Sequence, residues 1–140
     1  CAYDPYLPQE DEAWSGIESV SLKDIAKTCD VVSAHVPLTN DTRHLIDVDF
    51  IRSMRAGAIL INTARGGVVD ESAVIEALRE GQLGGAALDV FESEPLDGES
   101  GAAFAGVPNL LLTPHIAGIT EEANQRVSLL TAQNVLKHLR

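Results

Sequence analysis

Short apolar runs alternate with amphipathic stretches along this chain, and the alternation predicts its elements. Cys1-Ala2-Tyr3 reads as a strand end closed by Asp4-Pro5, and the acidic stretch 9–16 as a surface loop. Residues 21–29 predict a short helix, 30–36 a strand stopped by Pro37, and 47–54 a second helix. Gly57 sets off a strand over 58–62. The pattern over 70–80 is the clearest of the shorter helices: Asp70 can cap it, Val74, Ile75 and Leu78 share a face, and Gly81 ends it. A strand over 84–90 follows, then an irregular stretch rich in Glu, Pro and Gly, then a strand over 109–114. The closing helix, 120–140, is capped by Thr120. It carries Glu121 and Glu122 at the positive end of its dipole and Lys137 and Arg140 at the negative end, with Leu129, Ala132, Leu136 and Leu139 on one stripe.

Strand followed by helix, repeated, predicts an α/β fold: a parallel sheet with helices on both faces. The all-apolar strands fit burial on both sides. In such a sheet the ligand crevice lies beyond the carboxyl ends of the strands. The polar groups that follow strands here are Asp4, Thr39 after Pro37, Thr63 with Arg65, Asp89 with Glu92 and Glu94, and His115.

Charge narrows the classes of function. The chain has 140 residues and a net charge of −11, which argues against a nucleic-acid surface and against docking on anionic lipid. An anionic ligand must then be held by a local cation. No apolar run has the length of a membrane helix. The opening Cys1-Ala2-Tyr3-Asp4-Pro5 lacks the basic-then-apolar order of a leader, and the expectation is a piece of a longer protein. Cys1 and Cys29 form no CxxC pair and fit small buried hydrophobes in a reducing, cytoplasmic compartment.

Four residues carry candidate chemistry. Arg65, at the end of an apolar strand, is either paired in a salt bridge or a two-pronged clamp for the carboxylate of an organic acid. The flanking Gly66-Gly67 favour the clamp by letting the backbone approach a ligand. His115, between Thr113-Pro114 and Ile116-Ala117-Gly118, can act as acid or base, or can be satisfied by a carbonyl. Glu94, one of three acids near a strand end, would orient that imidazole and favour its protonated form. Asp4 can hold the ribose hydroxyls of an adenosine, or form a turn with Pro5. His35, inside an apolar strand, reads as a satisfied core residue, and His44 and His138 are weaker candidates. No nucleophile elbow, no metal-spaced His/Cys cluster and no phosphate-cradling G-x-G-x-x-G is present.

Three segments, "HVPLTNDTRHLID", "INTARGGVVDESAVIEALREGQLGGAALDVFESEPL" and "PNLLLTPHIAGIT", in this order and spacing, closely resemble the D-isomer-specific 2-hydroxyacid dehydrogenases. The resemblance implies a domain division: 1–118 most of an NAD-binding Rossmann domain, entered at the end of its second strand without the first strand and glycine loop, and 119–140 a helix returning toward a catalytic domain. It implies hydride transfer between NAD(H) and a small 2-hydroxy or 2-oxo acid, with Arg65 on the substrate carboxylate, His115 as acid/base and Glu94 assisting it. It also implies cofactor contacts at Asp4, Val36, Pro37, Thr42, Thr63, Ala64, Asp89 (the carboxamide) and Gly118, with Asp4 favouring NAD over NADP. "PHIAGIT" and "GGAALDVFESEPLDGESG" are most similar to the phosphoglycerate dehydrogenase branch and, within it, the sulfolactate dehydrogenases. The full-length protein is expected to be a homodimer, and the 140-residue chain alone inactive. A competing expectation comes from the C-terminal-binding-protein corepressors, NAD(H)-responsive binding proteins that retain the same Arg, Glu and His.

Overall fold

The structure, a computed structural model, describes residues 1–139. Four parallel strands, β1 (Val31–Ala34), β2 (Ala58–Asn62), β3 (Leu83–Leu88) and β4 (Leu110–Leu112), lie side by side in sequence order. Helix α1 (Leu22–Thr28) leads into β1, α2 (Val48–Ser53) and α3 (Glu71–Glu80) cross over from β1 to β2 and from β2 to β3, and α4 (Glu121–His138) follows β4. Each helix starts on a side chain that accepts from an orphan backbone N–H. Ser21 takes Asp24, Asp47 takes Phe50, Asp70 takes Ala73 and Thr120 takes Ala123. Gly81 ends α3 in the left-handed region, at φ 75°.

The expected parallel α/β sheet is present. Its two faces differ. Val32, Ala34, Leu60 and Ala86 alternate onto one face and join one buried cluster with Ala26 of α1, Phe50 and Ile51 of α2, and Val74 and Leu78 of α3. The opposite face carries Val31, Ile59 and Leu111, exposed by 52 %, 42 % and 61 %. A cover on both faces was the expectation from the apolar strands. Among the described residues the second cover is not supplied, because α1 and the two crossover helices all pack into the first cluster. His35 lies on the uncovered side, exposed, with its Nε2 2.9 Å from Ser33 Oγ, so it is not a core residue.

The Cys1-Ala2-Tyr3 end makes one parallel bridge, Ala2 with Ser19, outside the four-stranded sheet. The cysteine expectation is corrected. Cys1 is exposed and Cys29 half-buried, with their sulfurs 3.5 Å apart, so neither is a buried hydrophobe. The apolar stripe of α4 packs on nothing described: Leu129, Leu136 and, just past its end, Leu139 are exposed, and no residue of the helix is buried. Lys137 and His138 stand in its last turn. Arg140 lies outside the described residues.

Candidate active site

The carboxyl ends of the strands meet along one edge, and four short segments build the site there. After β2 the chain must turn sharply. Buried Asn62 closes that turn with both ends of its amide: Oδ1 accepts from Ala64 N at 3.1 Å, and Nδ2 donates to Arg65 O at 2.9 Å. Arg65 is thereby held exposed at the rim. It donates to Ala64 O and has no carboxylate within 4.0 Å among the described residues, so the salt-bridge alternative is not realised.

Packing constrains Gly66 and Gly67 independently of any ligand. A side chain at Gly66 would sit 1.9 Å from the backbone carbon and oxygen of Phe91. One at Gly67 would come within 3.2 Å of the Arg43 guanidinium and 3.3 Å of Leu38. The glycines therefore let the Arg65 loop press against the β3 exit and under the 38–43 loop. They are required by protein packing before any ligand is considered.

His115 is held by two carboxylates. Its backbone is left-handed, at φ 55°, a conformation costly by about 1–2 kcal/mol for a residue with a Cβ. Asp89, buried at the end of β3, offsets that cost. Oδ1 accepts from Thr113 Oγ1 at 2.5 Å and from Ile116 N at 2.9 Å, while Oδ2 accepts from Ala117 N at 2.9 Å. Burial pushes the Asp89 carboxyl up, and these three donors outweigh it, so the group stays below its ordinary value.

Glu94 grips the ring. Oε1 accepts from Phe91 N at 2.8 Å, and Oε2 stands 2.8 Å from His115 Nδ1. The bond from His115, then that from Phe91, lowers the Glu94 carboxyl against a smaller opposing push from burial. An ionised carboxylate can only accept, so Nδ1 carries the proton and Nε2 is left to give or take one. Glu92, by contrast, pairs with His44 at 3.1 Å.

Arg65, Glu94 and His115, far apart in sequence, line one cavity of about 230 Å³ together with Leu38, Arg43 and Gly67. A second cavity of about 570 Å³, walled by Phe91, Leu96, Leu112 and Pro114, opens on the other side of Glu94 and His115. Val36, Pro37, Thr63, Ala64 and Gly118 lie partly or fully exposed along the same strand-end edge. The Thr42 hydroxyl is spent on its own turn, donating to Pro37 O at 2.6 Å and accepting from Thr39 N at 2.8 Å. Asp4 caps Tyr6 N with Oδ1 at 2.9 Å, which leaves Oδ2 free. Asn62, Arg43 and the bracing role of Asp89 were not anticipated. The Asn62-x-x-Arg65 spacing after an apolar run was a legible signal for an Asn-closed turn. Arg43 had none.

The model of the family "D-isomer specific 2-hydroxyacid dehydrogenase, NAD binding domain" matches residues 1–117. An (S)-sulfolactate dehydrogenase of Chromohalobacter salexigens is 50 % identical over 139 residues, covering 99 % of this chain and 44 % of that protein. A D-3-phosphoglycerate dehydrogenase of Methanocaldococcus jannaschii is 42 % identical over 139 residues, covering 99 % of this chain and 26 % of that protein. Among solved structures, the D-lactate dehydrogenase of Aquifex aeolicus complexed with NAD and lactic acid superposes with a TM-score of 0.84 at 34 % identity, covering 98 % of this chain and 45 % of that one. The chain thus spans less than half the length of these relatives.

Proposed function

The chain belongs to the D-isomer-specific 2-hydroxyacid dehydrogenases as their NAD-binding domain, and from that premise we propose that the full-length protein transfers hydride between NAD(H) and a small 2-hydroxy or 2-oxo acid. The observation that carries this reading is the 2.8 Å pair between His115 Nδ1 and Glu94 Oε2, on the wall of the cavity that also takes Arg65. Arg65 binds the substrate carboxylate with its fork of donors. His115 Nε2 protonates the carbonyl oxygen during reduction and takes the proton back from the hydroxyl during oxidation. Glu94 keeps the ring oriented and offsets the imidazolium charge. Bound NADH would supply the hydride to C2 of the acid.

The strand-end edge fits the cofactor chemically. Val36, Pro37 and Ala64 offer an apolar rim for a flat ring, Thr63 a hydroxyl and Gly118 an open backbone beside it. The free Oδ2 of Asp4 can take the adenosine ribose hydroxyls and would disfavour a 2′-phosphate. Asp89 Oδ2 accepts one bond and keeps capacity for a carboxamide N–H. Thr42 contributes by fixing the Pro37 turn.

For the substrate we propose an acid like 3-phosphoglycerate or sulfolactate, which the names of the two curated relatives support. Residues 1–118 would be most of the Rossmann domain, and 119–140 the helix that returns to a catalytic domain. The exposed apolar stripe of α4 supports that assignment. The full-length protein would be a cytoplasmic homodimer, and the isolated chain inactive.

The test follows NADH absorbance of the full-length protein with 3-phosphohydroxypyruvate, 3-sulfopyruvate, hydroxypyruvate, glyoxylate and pyruvate, beside an Arg65→Ala control. Turnover that disappears in the control is the expected result. No turnover of any acid, with NADH still bound, would overturn the reading.

A further inference from the structure

The cavity holds a second arginine. Arg43 reaches it from the loop after β1, and that loop is fixed against the Arg65 loop by backbone bonds. Arg43 N donates to Thr39 O at 3.0 Å, His44 N to Gly67 O at 2.8 Å and Ile46 N to Val68 O at 3.1 Å. The guanidinium lies over Gly67 so closely that a methyl group there would meet Nη1 at 3.2 Å. The loop that carries it is therefore set by the fold, and a glycine keeps the space under the guanidinium clear.

Among the described residues its charge has no counter-ion within 4.0 Å. Two carboxylates line the cavity, and each is engaged by a histidine, Glu94 by His115 and Glu92 by His44. Neither Arg43 nor Arg65 has a carboxylate within 4.0 Å among the described residues. Two guanidinium groups sharing about 230 Å³ repel each other until an anion enters. In a chain of net charge −11, a ligand with two negative groups meets more long-range repulsion than one with a single group. One fixed cation balances one carboxylate, and a second anionic group requires a second cation.

We propose that Arg43 is a substrate-specificity residue that binds a second anionic group, borne on C3 of a three-carbon 2-oxo acid whose carboxylate is held by Arg65. The inference rests on the dehydrogenase reading above and narrows its substrate to acids that bear a second anionic group. A sulfonate and a phosphate present the same array of acceptor oxygens to a guanidinium, so the substrate panel distinguishes them.

The measurement is the ratio of kcat/KM for 3-sulfopyruvate or 3-phosphohydroxypyruvate to that for pyruvate, in the full-length protein and in Arg43→Gln and Arg43→Lys. The wild type is expected to prefer one of the two acids with a second anionic group. In Arg43→Gln that preference should collapse by about 10- to 100-fold, the loss expected for a charge-assisted contact, and it should appear mainly in KM. Arg43→Lys, which keeps the charge and loses the fork, should recover part of it. A wild type that favours pyruvate, or a ratio unchanged in Arg43→Gln, overturns the inference and leaves the dehydrogenase reading standing. An equal loss on every substrate also leaves the ratio unchanged; it would assign Arg43 to a carboxylate elsewhere in the full-length protein. No turnover of any acid overturns both.

Discussion

Glu94 Oε2 and His115 Nδ1 stand 2.8 Å apart across twenty-one residues of chain, and the other oxygen of the same carboxylate is pinned to Phe91 N. A carboxylate fixed at both oxygens dictates which ring nitrogen carries the proton. Glu94→Gln keeps the size and removes that dictate, because an amide can also donate. The full-length variant is expected to lose at least about tenfold in kcat, with the affinity for NADH unchanged by fluorescence titration. His115→Asn should lose about 10²- to 10⁴-fold.

Acid should loosen the site through the same carboxylate. Glu94 is held below its ordinary 4.5 first by the His115 bond and then by Phe91 N. A lowered folded-state value means that the stability it contributes is complete above 4.5 and is lost as pH falls through the folded value. Glu71 works the other way. Burial raises it most, offset in part by the bond from Glu92 N, so its contribution is present below 4.5 and is lost as pH rises through its own value. Thermal melts between neutral pH and pH ~3 should show a shallower acid limb in Glu94→Gln and a gain near neutrality in Glu71→Gln.

Asp89 should prove more structural than its position at the cofactor edge suggests. Asp89→Asn exchanges one acceptor oxygen for a donor while two backbone N–H groups and a hydroxyl still point at the site. A loss of about 2–4 kcal/mol in denaturant midpoint analysis is expected. Hydrogen exchange should quicken at Ile116 and Ala117, where the bonds are lost.

Gly66→Ala should cost about 3 kcal/mol or more, because the added carbon meets Phe91 backbone at 1.9 Å and nothing flexible can give way. Gly67→Ala meets side chains at 3.2 Å and 3.3 Å and should cost less. Comparison of the two melting temperatures tests the assignment of these glycines to packing.

At Arg65 the expectation concerns geometry. Arg65→Lys keeps the charge and loses the two-pronged grip, so KM for the 2-oxo acid should rise about tenfold or more with kcat changed less. An equal fall in kcat and kcat/KM would place the contact in the transition state instead.

Much of this protein is written locally. The alternation of apolar runs and capped amphipathic stretches determines the parallel α/β order, because an element's hydrophobic period and a helix's capped first turn are set by neighbours in sequence. Asp70 and Thr120 cap the helices they were expected to cap, and Arg65, Glu94 and His115 stand where strands end. What needed the folded chain are relations between segments. That Gly66 is glycine because of Phe91, that Asp89 is spent on the His115 turn, and that Arg43 lies over Gly67 beside Arg65 are contacts set by packing. The bare side of the sheet belongs with them. Val31, Ile59 and Leu111 are apolar enough for burial, yet burial requires a covering element, and a strand's own residues do not specify where that element comes from.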